Sequence, residues 1–229
     1  MASPVKNVPL NNPIDFALAV TAQRHEKERL LRNALRKGGY RYYRGIRSAA
    51  PMILKVANGL LSSPSSTKAQ IKALIESTCI NAHGELDNNL HLGEGLYDYA
   101  IAHNVTGAEF HTSSISLGRA GRRRIWEPFF LKIDERKYIP LIDPRLPEGG
   151  LTPDARRFVF SIQHTHFTLG DPTLWGDVGF VILQFEESKK GRRKVIPHFG
   201  DGIEFWDDKQ IARMIDDTYR LLDDIREAA

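Results

Sequence analysis

The order of hydrophobic and polar residues predicts a helical first half. Asn12 is placed to cap a helix that begins at Pro13, and Gly38-Gly39 is placed to end that helix. Thr67 and Gln70 have the spacing of a capping box, which predicts a further helix start. The remaining elements expected here are helices over residues 49–61, 68–78 and 94–103, with a loop over residues 81–95.

From Ala108 onward the pattern changes to the shorter period of strands. The run at residues 178–185 is uninterrupted by charge, which is typical of a central strand covered on both faces. The last helix is the clearest element, because Ile211, Ile215 and Leu222 keep helical spacing. We predict strands over residues 110–117, 125–133, 137–142, 178–185 and 195–199, and helices over residues 153–167 and 208–227.

These elements predict an α+β fold. A helical N-terminal half is followed by a mixed β-sheet of four or five strands, on which two helices pack. We expect a basic helical region over residues 1–105 and an α+β domain over residues 106–229.

Charge is distributed unevenly along the chain. The 229 residues carry a net charge of +4, and 41% of them are hydrophobic, as in an ordinary globular protein. Residues 1–60 hold eleven Lys/Arg against three Asp/Glu, whereas residues 126–229 hold fifteen against nineteen. This excess near the N-terminus predicts an anionic partner, because a local field attracts a partner more effectively than the total charge does.

Several classes of protein are excluded or disfavoured. A single cysteine, Cys79, excludes an intrachain disulfide and a cysteine-rich zinc site. The sequence has neither a membrane-spanning apolar stretch nor a secretory signal, so we expect a cytoplasmic protein without membrane contact. It also lacks a phosphate-binding loop, a dinucleotide fingerprint and a nucleophile elbow, so no cofactor is expected.

The strongest binding candidate is a basic and aromatic segment between residues 36 and 47. Arginine pairs with phosphate oxygens, and tyrosine rings stack on bases without regard to sequence. A second basic cluster at residues 122–124 and a third at residues 189–194 lie at predicted strand ends, where solubility alone also favours cations. The predicted nucleic-acid-binding residues are Arg36, Lys37, Arg41, Tyr42, Tyr43, Arg44, Arg47, Arg122, Arg123 and Arg124.

A catalytic candidate is acidic. Asp143 ends one predicted strand, and Glu187 with Lys189 ends another, in the Glu-x-Lys spacing of restriction-type nucleases. A whole helix intervenes between the two carboxylates, which weakens this interpretation. His164 and His166 lie two apart on a predicted helix and point in different directions, so no metal site is expected from them.

The leading hypothesis is therefore a nucleic-acid-binding accessory protein within a larger complex, with DNA or RNA as its partner. One alternative is a protein–protein adaptor that docks through oppositely charged faces, with the tyrosines as interface anchors. The other is a metal-dependent nuclease that uses Asp143, Glu187 and Lys189.

Overall fold

The structure is a computed structural model, which describes residues 10–36, 42–57, 66–80, 84–111, 113–188 and 193–228. Its α-helices are α1 (Pro13–Thr21), α2 (Arg24–Arg36), α3 (Arg44–Ile53), α4 (Lys68–Thr78), α5 (Glu85–Ala102), α6 (Pro153–Gln163), α7 (Pro172–Trp175) and α8 (Asp208–Glu227). Its strands are β1 (Val56–Ala57), β2 (Thr106–Glu109), β3 (Ile115–Ser116), β4 (Arg122–Arg123), β5 (Phe129–Ile133), β6 (Arg136–Ile142), β7 (Gly179–Glu187) and β8 (Arg193–Phe199). A π-helical turn (His164–Leu169) extends α6.

Six of these strands form one mixed sheet in the order β1-β2-β5-β6-β7-β8, and β3 pairs with β4 in a separate ribbon. β6 and β7 run parallel, with Ile142 beside Leu183, and α6 lies in the crossover connection that a parallel pair requires. β8 returns antiparallel to β7. The ends of β6 and β7 and the start of β8 therefore meet at one edge of the sheet.

Helices cover both faces of this sheet and form two hydrophobic cores. One core joins α1, α2, α6 and α8 to the face of β7 that carries Ile182, and the other joins α3, α4 and α5 to the face that carries Leu183. Residues 179–185 of β7 are buried, and apart from Gln184 they carry no polar side chain, as expected for a strand covered on both faces. Both cores contain residues from each side of the expected boundary at 105/106, and that division into domains stays a prediction.

The α+β class predicted from the sequence is confirmed, as are several helix boundaries. Asn12 accepts a hydrogen bond from the Ile14 amide, and Thr67 and Gln70 form the expected capping box. The last helix has the predicted bounds and begins with a second capping box, between Asp207 and Gln210. Among the described residues, no helix has both the length and the apolarity that crossing a bilayer requires.

Two helix predictions in the first half are wrong. The single helix expected from Pro13 is broken, because α1 ends at Thr21 and α2 turns back so that the Lys27 ammonium donates to the Val20 carbonyl at 3.0 Å. The helix expected over residues 49–61 starts earlier and ends at Ile53. Lys55 then adopts a left-handed backbone, with a φ of 51°, and the chain continues as β1.

The loop expected over residues 81–95 is also wrong, because α5 begins at Glu85 and runs through it. Gly93 and Gly95 suggested a loop, but both lie where α5 closely approaches a neighbour. A Cβ on Gly93 would lie 2.6 Å from Ile75 Cδ1, and a Cβ on Gly95 would lie 2.2 Å from the Arg193 carbonyl oxygen. These glycines therefore serve packing.

Two strand predictions also needed correction. The strand expected over residues 110–117 is replaced by β2, which ends at Glu109, and by the short β3. The strand expected from residue 125 begins at Phe129. The main sheet has six described strands rather than four or five, because β1 from the helical half pairs with β2.

Candidate binding groove

A groove of about 340 Å³ opens at the sheet edge where β6 and β7 end and β8 begins. We call it the tyrosine–arginine groove. Tyr42 and Tyr43 precede α3, Asn88 lies on α5, Arg145 follows β6, and Arg193 begins β8. The sheet topology thus brings together residues that are far apart in the sequence.

A buried carboxylate organises the loop that carries Arg145. Asp143 is fully buried and accepts hydrogen bonds from the Leu151 amide at 2.7 Å, from Gln184 Nε2 at 2.9 Å and from the Arg145 amide at 3.3 Å. Burial raises the pKa of the Asp143 carboxyl, and these hydrogen bonds partly offset that effect. The Arg145 guanidinium pairs with Asp15 at 2.8 Å. Its amide contact to Asp143 and this ion pair together fix the position of Arg145 in the groove.

The opposite wall is built by α5 and β8. The absence of a side chain at Gly95 lets the backbone of Arg193 lie directly against α5. From there Arg193 Nη2 donates to Asn88 Oδ1 at 3.1 Å. Two further donors in this wall, Asn88 Nδ2 and Arg193 Nη1, are buried and have no hydrogen-bond partner among the described residues.

The two tyrosines predicted as stacking residues both line the groove. Their rings meet edge to face, with centroids 5.1 Å apart. Tyr43 is half-buried, and this burial raises the pKa of its phenol, while the charges of Arg145 and Arg193 act in the opposite direction. The Tyr42 hydroxyl donates to the Gly84 carbonyl at 3.4 Å.

The arginines predicted to bind beside these tyrosines differ from one another in location and in hydrogen-bond partners. Arg44 donates from Nε and Nη2 to the Thr78 carbonyl at 2.9 and 2.5 Å, and so completes the C-terminal end of α4. Arg47 is exposed. Arg36 ends α2, whereas Lys37 and Arg41 lie outside the described residues.

The second basic cluster is divided between interior and surface. The Arg123 guanidinium donates to the Leu10 carbonyl at 2.6 Å and to the Tyr219 hydroxyl at 3.1 Å, so it serves internal packing. Arg122 is exposed and bonds Ser114 Oγ at 3.0 Å. Arg124 is exposed too.

The charges of arginines from both the first and the second basic cluster act on the carboxylate of Glu127. Burial raises the pKa of the Glu127 carboxyl, and the charges of Arg47 and Arg124 partly offset this effect. Both guanidinium groups therefore lie near Glu127. The Ile142 backbone also hydrogen-bonds this carboxyl, which places Glu127 beside the end of β6.

The carboxylates predicted for a nuclease do not converge. β6 and β7 are neighbours despite the intervening helix, but Asp143 meets Gln184 rather than Glu187. Side chains alternate along a strand, so Glu187 projects from the opposite face of β7 to Gln184. Lys189 lies outside the described residues. No group of three or more His, Cys, Asp or Glu within the described ranges is placed to hold a metal ion.

The two histidines of the π-helical turn stack on aromatic rings. His164 lies 4.3 Å from the Phe205 ring and His166 lies 4.6 Å from the Trp126 ring, between centroids. Burial lowers the pKa values of both imidazoles and of His198.

These lowered pKa values predict how stability depends on pH. Below about pH 6.5 the unfolded chain binds protons at these imidazoles before the folded chain does, so they lower the free energy of unfolding as pH falls. The raised pKa values of Asp143 and Glu127 act in the opposite direction above about pH 4, because the folded chain retains those protons.

A His164→Phe variant keeps the stacking but does not titrate. Urea denaturation should show that it loses less stability than the wild type between about pH 7.5 and about pH 5.5. An equal loss would contradict the prediction.

A larger cleft of about 550 Å³ lies between residues 117–119 and α8. Several of its charged side chains form ion pairs: Arg220 pairs with Asp216 at 3.0 Å, and Arg119 pairs with Asp223, which lies elsewhere on α8. The tyrosine–arginine groove is therefore the better candidate, because its wall contains donors that the described chain does not satisfy.

Three groove residues were missed as site residues by sequence reasoning. Arg145 follows a predicted strand end, and the carboxyl ends of parallel strands are a common place for binding sites, so this signal was present. Arg193 belonged to a basic cluster that solubility explained equally well. Asn88 had no signal, because it lay in a segment predicted to be a loop.

Comparison with known protein families identifies what kind of chain this is. Residues 14–228 match the family described as "Sliding clamp-binding bacterial toxin SocB". The chain belongs to the SocB family. Among curated proteins, it is similar to the "DNA replication inhibitor toxin SocB" of Caulobacter vibrioides (strain NA1000 / CB15N). The two are 25% identical over 186 residues, which cover 81% of this chain and 76% of the relative. No solved structure matches. The SocB family is thus linked to DNA replication through a protein partner, the sliding clamp.

Proposed function

We propose that this chain inhibits DNA replication by binding a sliding clamp. The observation that carries the proposal is the family match, which extends from α1 to the end of α8 and so includes the whole described sheet and nearly all of both cores. The match therefore concerns the entire fold rather than one shared element. Of the hypotheses drawn from the sequence, this proposal is nearest to the protein–protein adaptor, and it implies action in the cytoplasm.

The arrangement of the carboxylates favours binding over cleavage. The interactions of Asp143 are internal, with Gln184, Leu151 and Arg145, and Glu187 projects from the other face of its strand. A phosphodiesterase would need both carboxylates beside the same phosphate. An inhibitor that blocks a clamp needs only a complementary surface.

The test measures binding of the full chain to the sliding clamp of its own host, together with DNA synthesis. An interface of standard size predicts a Kd of about 1 µM or tighter. The chain should also slow primer extension by a clamp-dependent polymerase on a long template. It should leave extension of a short gap, which does not need the clamp, unchanged. Equal inhibition of both reactions, or no clamp binding at about 50 µM chain, would contradict the proposal.

Contact with nucleic acid is a second candidate function, in a narrower form than the sequence suggested. The observation that favours it is the groove itself, where Tyr42 and Tyr43 lie beside Arg145 and Arg193. The broader set of predicted contacts is reduced, because Arg44 and Arg123 are used internally. This candidate is compatible with the clamp proposal, since a clamp encloses DNA.

A further inference from the structure

The wall of the tyrosine–arginine groove contains more hydrogen-bond donors than the described chain satisfies. Arg193 Nη2 bonds Asn88 Oδ1, but Arg193 Nη1 and Asn88 Nδ2 have no partner among the described residues, although both are buried. A buried donor without an acceptor lowers stability, and the loss is larger when the donor is charged. The two unsatisfied donors belong to adjacent side chains, so one ligand group could meet both.

The two arginines of the groove differ in their ion pairing. Arg193 forms no ion pair with any carboxylate of the described chain, although Glu187 lies opposite it in the pairing of β7 with β8. Arg145, in contrast, is paired with Asp15. Among the described residues that line the groove, Glu148 is the one acidic residue, and it lies in an exposed part of the loop. The groove also adjoins the amino end of α3, whose N-cap residue is Tyr43, and the helix dipole there favours an anion.

We propose that the tyrosine–arginine groove binds the phosphate group of a nucleotide, with Arg193 and Asn88 donating to the phosphate oxygens. A guanidinium fork matches two oxygens of one phosphate, and the neighbouring amide supplies a third donor. Tyr42 provides an aromatic surface for the attached sugar or base. A free nucleotide and a unit of a DNA strand share this chemistry. The inference deepens the second candidate function, and it does not depend on the clamp contact.

The experiment titrates the full chain with three probes at constant ionic strength: inorganic phosphate, deoxyadenosine monophosphate and a short single-stranded oligonucleotide. Binding is followed by the midpoint of thermal unfolding and by side-chain NMR signals of arginine and asparagine. Replacing Arg193 by glutamine should weaken binding of every probe by about tenfold or more, because a charge-assisted hydrogen bond is lost. The matched control is Arg213→Gln at an exposed position of α8, which changes the net charge equally and should retain wild-type affinity.

A second variant keeps the proposal testable if Arg193→Gln fails to fold. Asn88→Asp places a carboxylate against Arg193, so the chain itself then satisfies the guanidinium. We expect this variant to unfold at a higher temperature than the wild type and to lose its response to phosphate. A variant that still responds like the wild type would overturn the proposal.

The three probes show whether the bound phosphate belongs to a free nucleotide or to a DNA strand. A response to phosphate and mononucleotide alone supports the groove as a nucleotide site and removes the second candidate function. Tighter binding of the oligonucleotide, with an affinity that falls steeply with salt, supports a DNA strand as the ligand. No response of the wild type to any probe, or equal binding by Arg193→Gln and the wild type, would overturn the inference while leaving the clamp proposal unaffected.

Discussion

Replacing Arg123 by alanine is expected to lower the free energy of unfolding by about 3 kcal/mol. The guanidinium donates to the carbonyls of Leu10 and Ala120, at 2.6 and 3.1 Å, and to the Tyr219 hydroxyl at 3.1 Å. It also lies 4.8 Å from the centre of the Phe16 ring. Truncation would leave these acceptors in a partly buried site, and water could replace the lost bonds only incompletely. Urea denaturation measures the effect directly.

The neighbouring arginine is the control. Arg122 is exposed and bonds Ser114, so its replacement by alanine should change stability by about 0.5 kcal/mol or less. Both variants remove one positive charge from the same strand, so a difference between them reports the internal contacts rather than the charge. Equal costs would contradict the structural role of Arg123.

Local signals in the sequence predicted those elements whose causes are local. A capping box joins residues three apart, so Thr67 with Gln70 marked the start of α4 without any knowledge of the fold. The regular spacing of apolar residues defined α8, and the apolar run at residues 178–185 identified β7 as a central strand. In each case the pattern itself is the physical cause of the element.

Contacts between residues far apart in the sequence explain the glycines of α5 and the internal role of Arg123, which local patterns could not show. Gly93 and Gly95 weaken a helix by propensity, and they are tolerated in α5 because Ile75 and the Arg193 backbone press against them. Arg123 looked like a surface cation because its partners Leu10 and Tyr219 are 113 and 96 residues away. No local pattern carries information about contacts of that separation.

The candidate site was predictable only in part, for the same reason. Tyr42 and Tyr43 stood out because rings and cations alternate along one segment, and both do line the groove. Arg145 and Arg193 join them through the crossover between β6 and β7 and the return of β8. A sequence reveals that such residues exist, whereas the order of strands in the sheet decides which of them meet.

Replacing Gly95 by alanine is expected to lower the free energy of unfolding by about 2 kcal/mol, even though alanine favours a helix over glycine by about 1 kcal/mol. The new Cβ would lie 2.2 Å from the Arg193 carbonyl oxygen and 2.9 Å from its carbonyl carbon. Backbone atoms in a strand cannot move aside alone, so the start of β8 must shift away from α5. Because that shift separates Arg193 from Asn88, the response of the thermal midpoint to phosphate should weaken as well.

Gly93→Ala is the matched control, because it makes the same change two residues earlier on the same helix. Its Cβ would meet Ile75 Cδ1 at 2.6 Å, and the end of a flexible side chain can turn away where a strand backbone cannot. The gain in helix propensity of about 1 kcal/mol should then offset most of the cost, so Gly93→Ala is expected to be nearly neutral. Phosphate binding should also remain at the wild-type level, since Arg193 does not move. If the two variants lost stability equally, close contact between α5 and β8 would not be what positions Arg193.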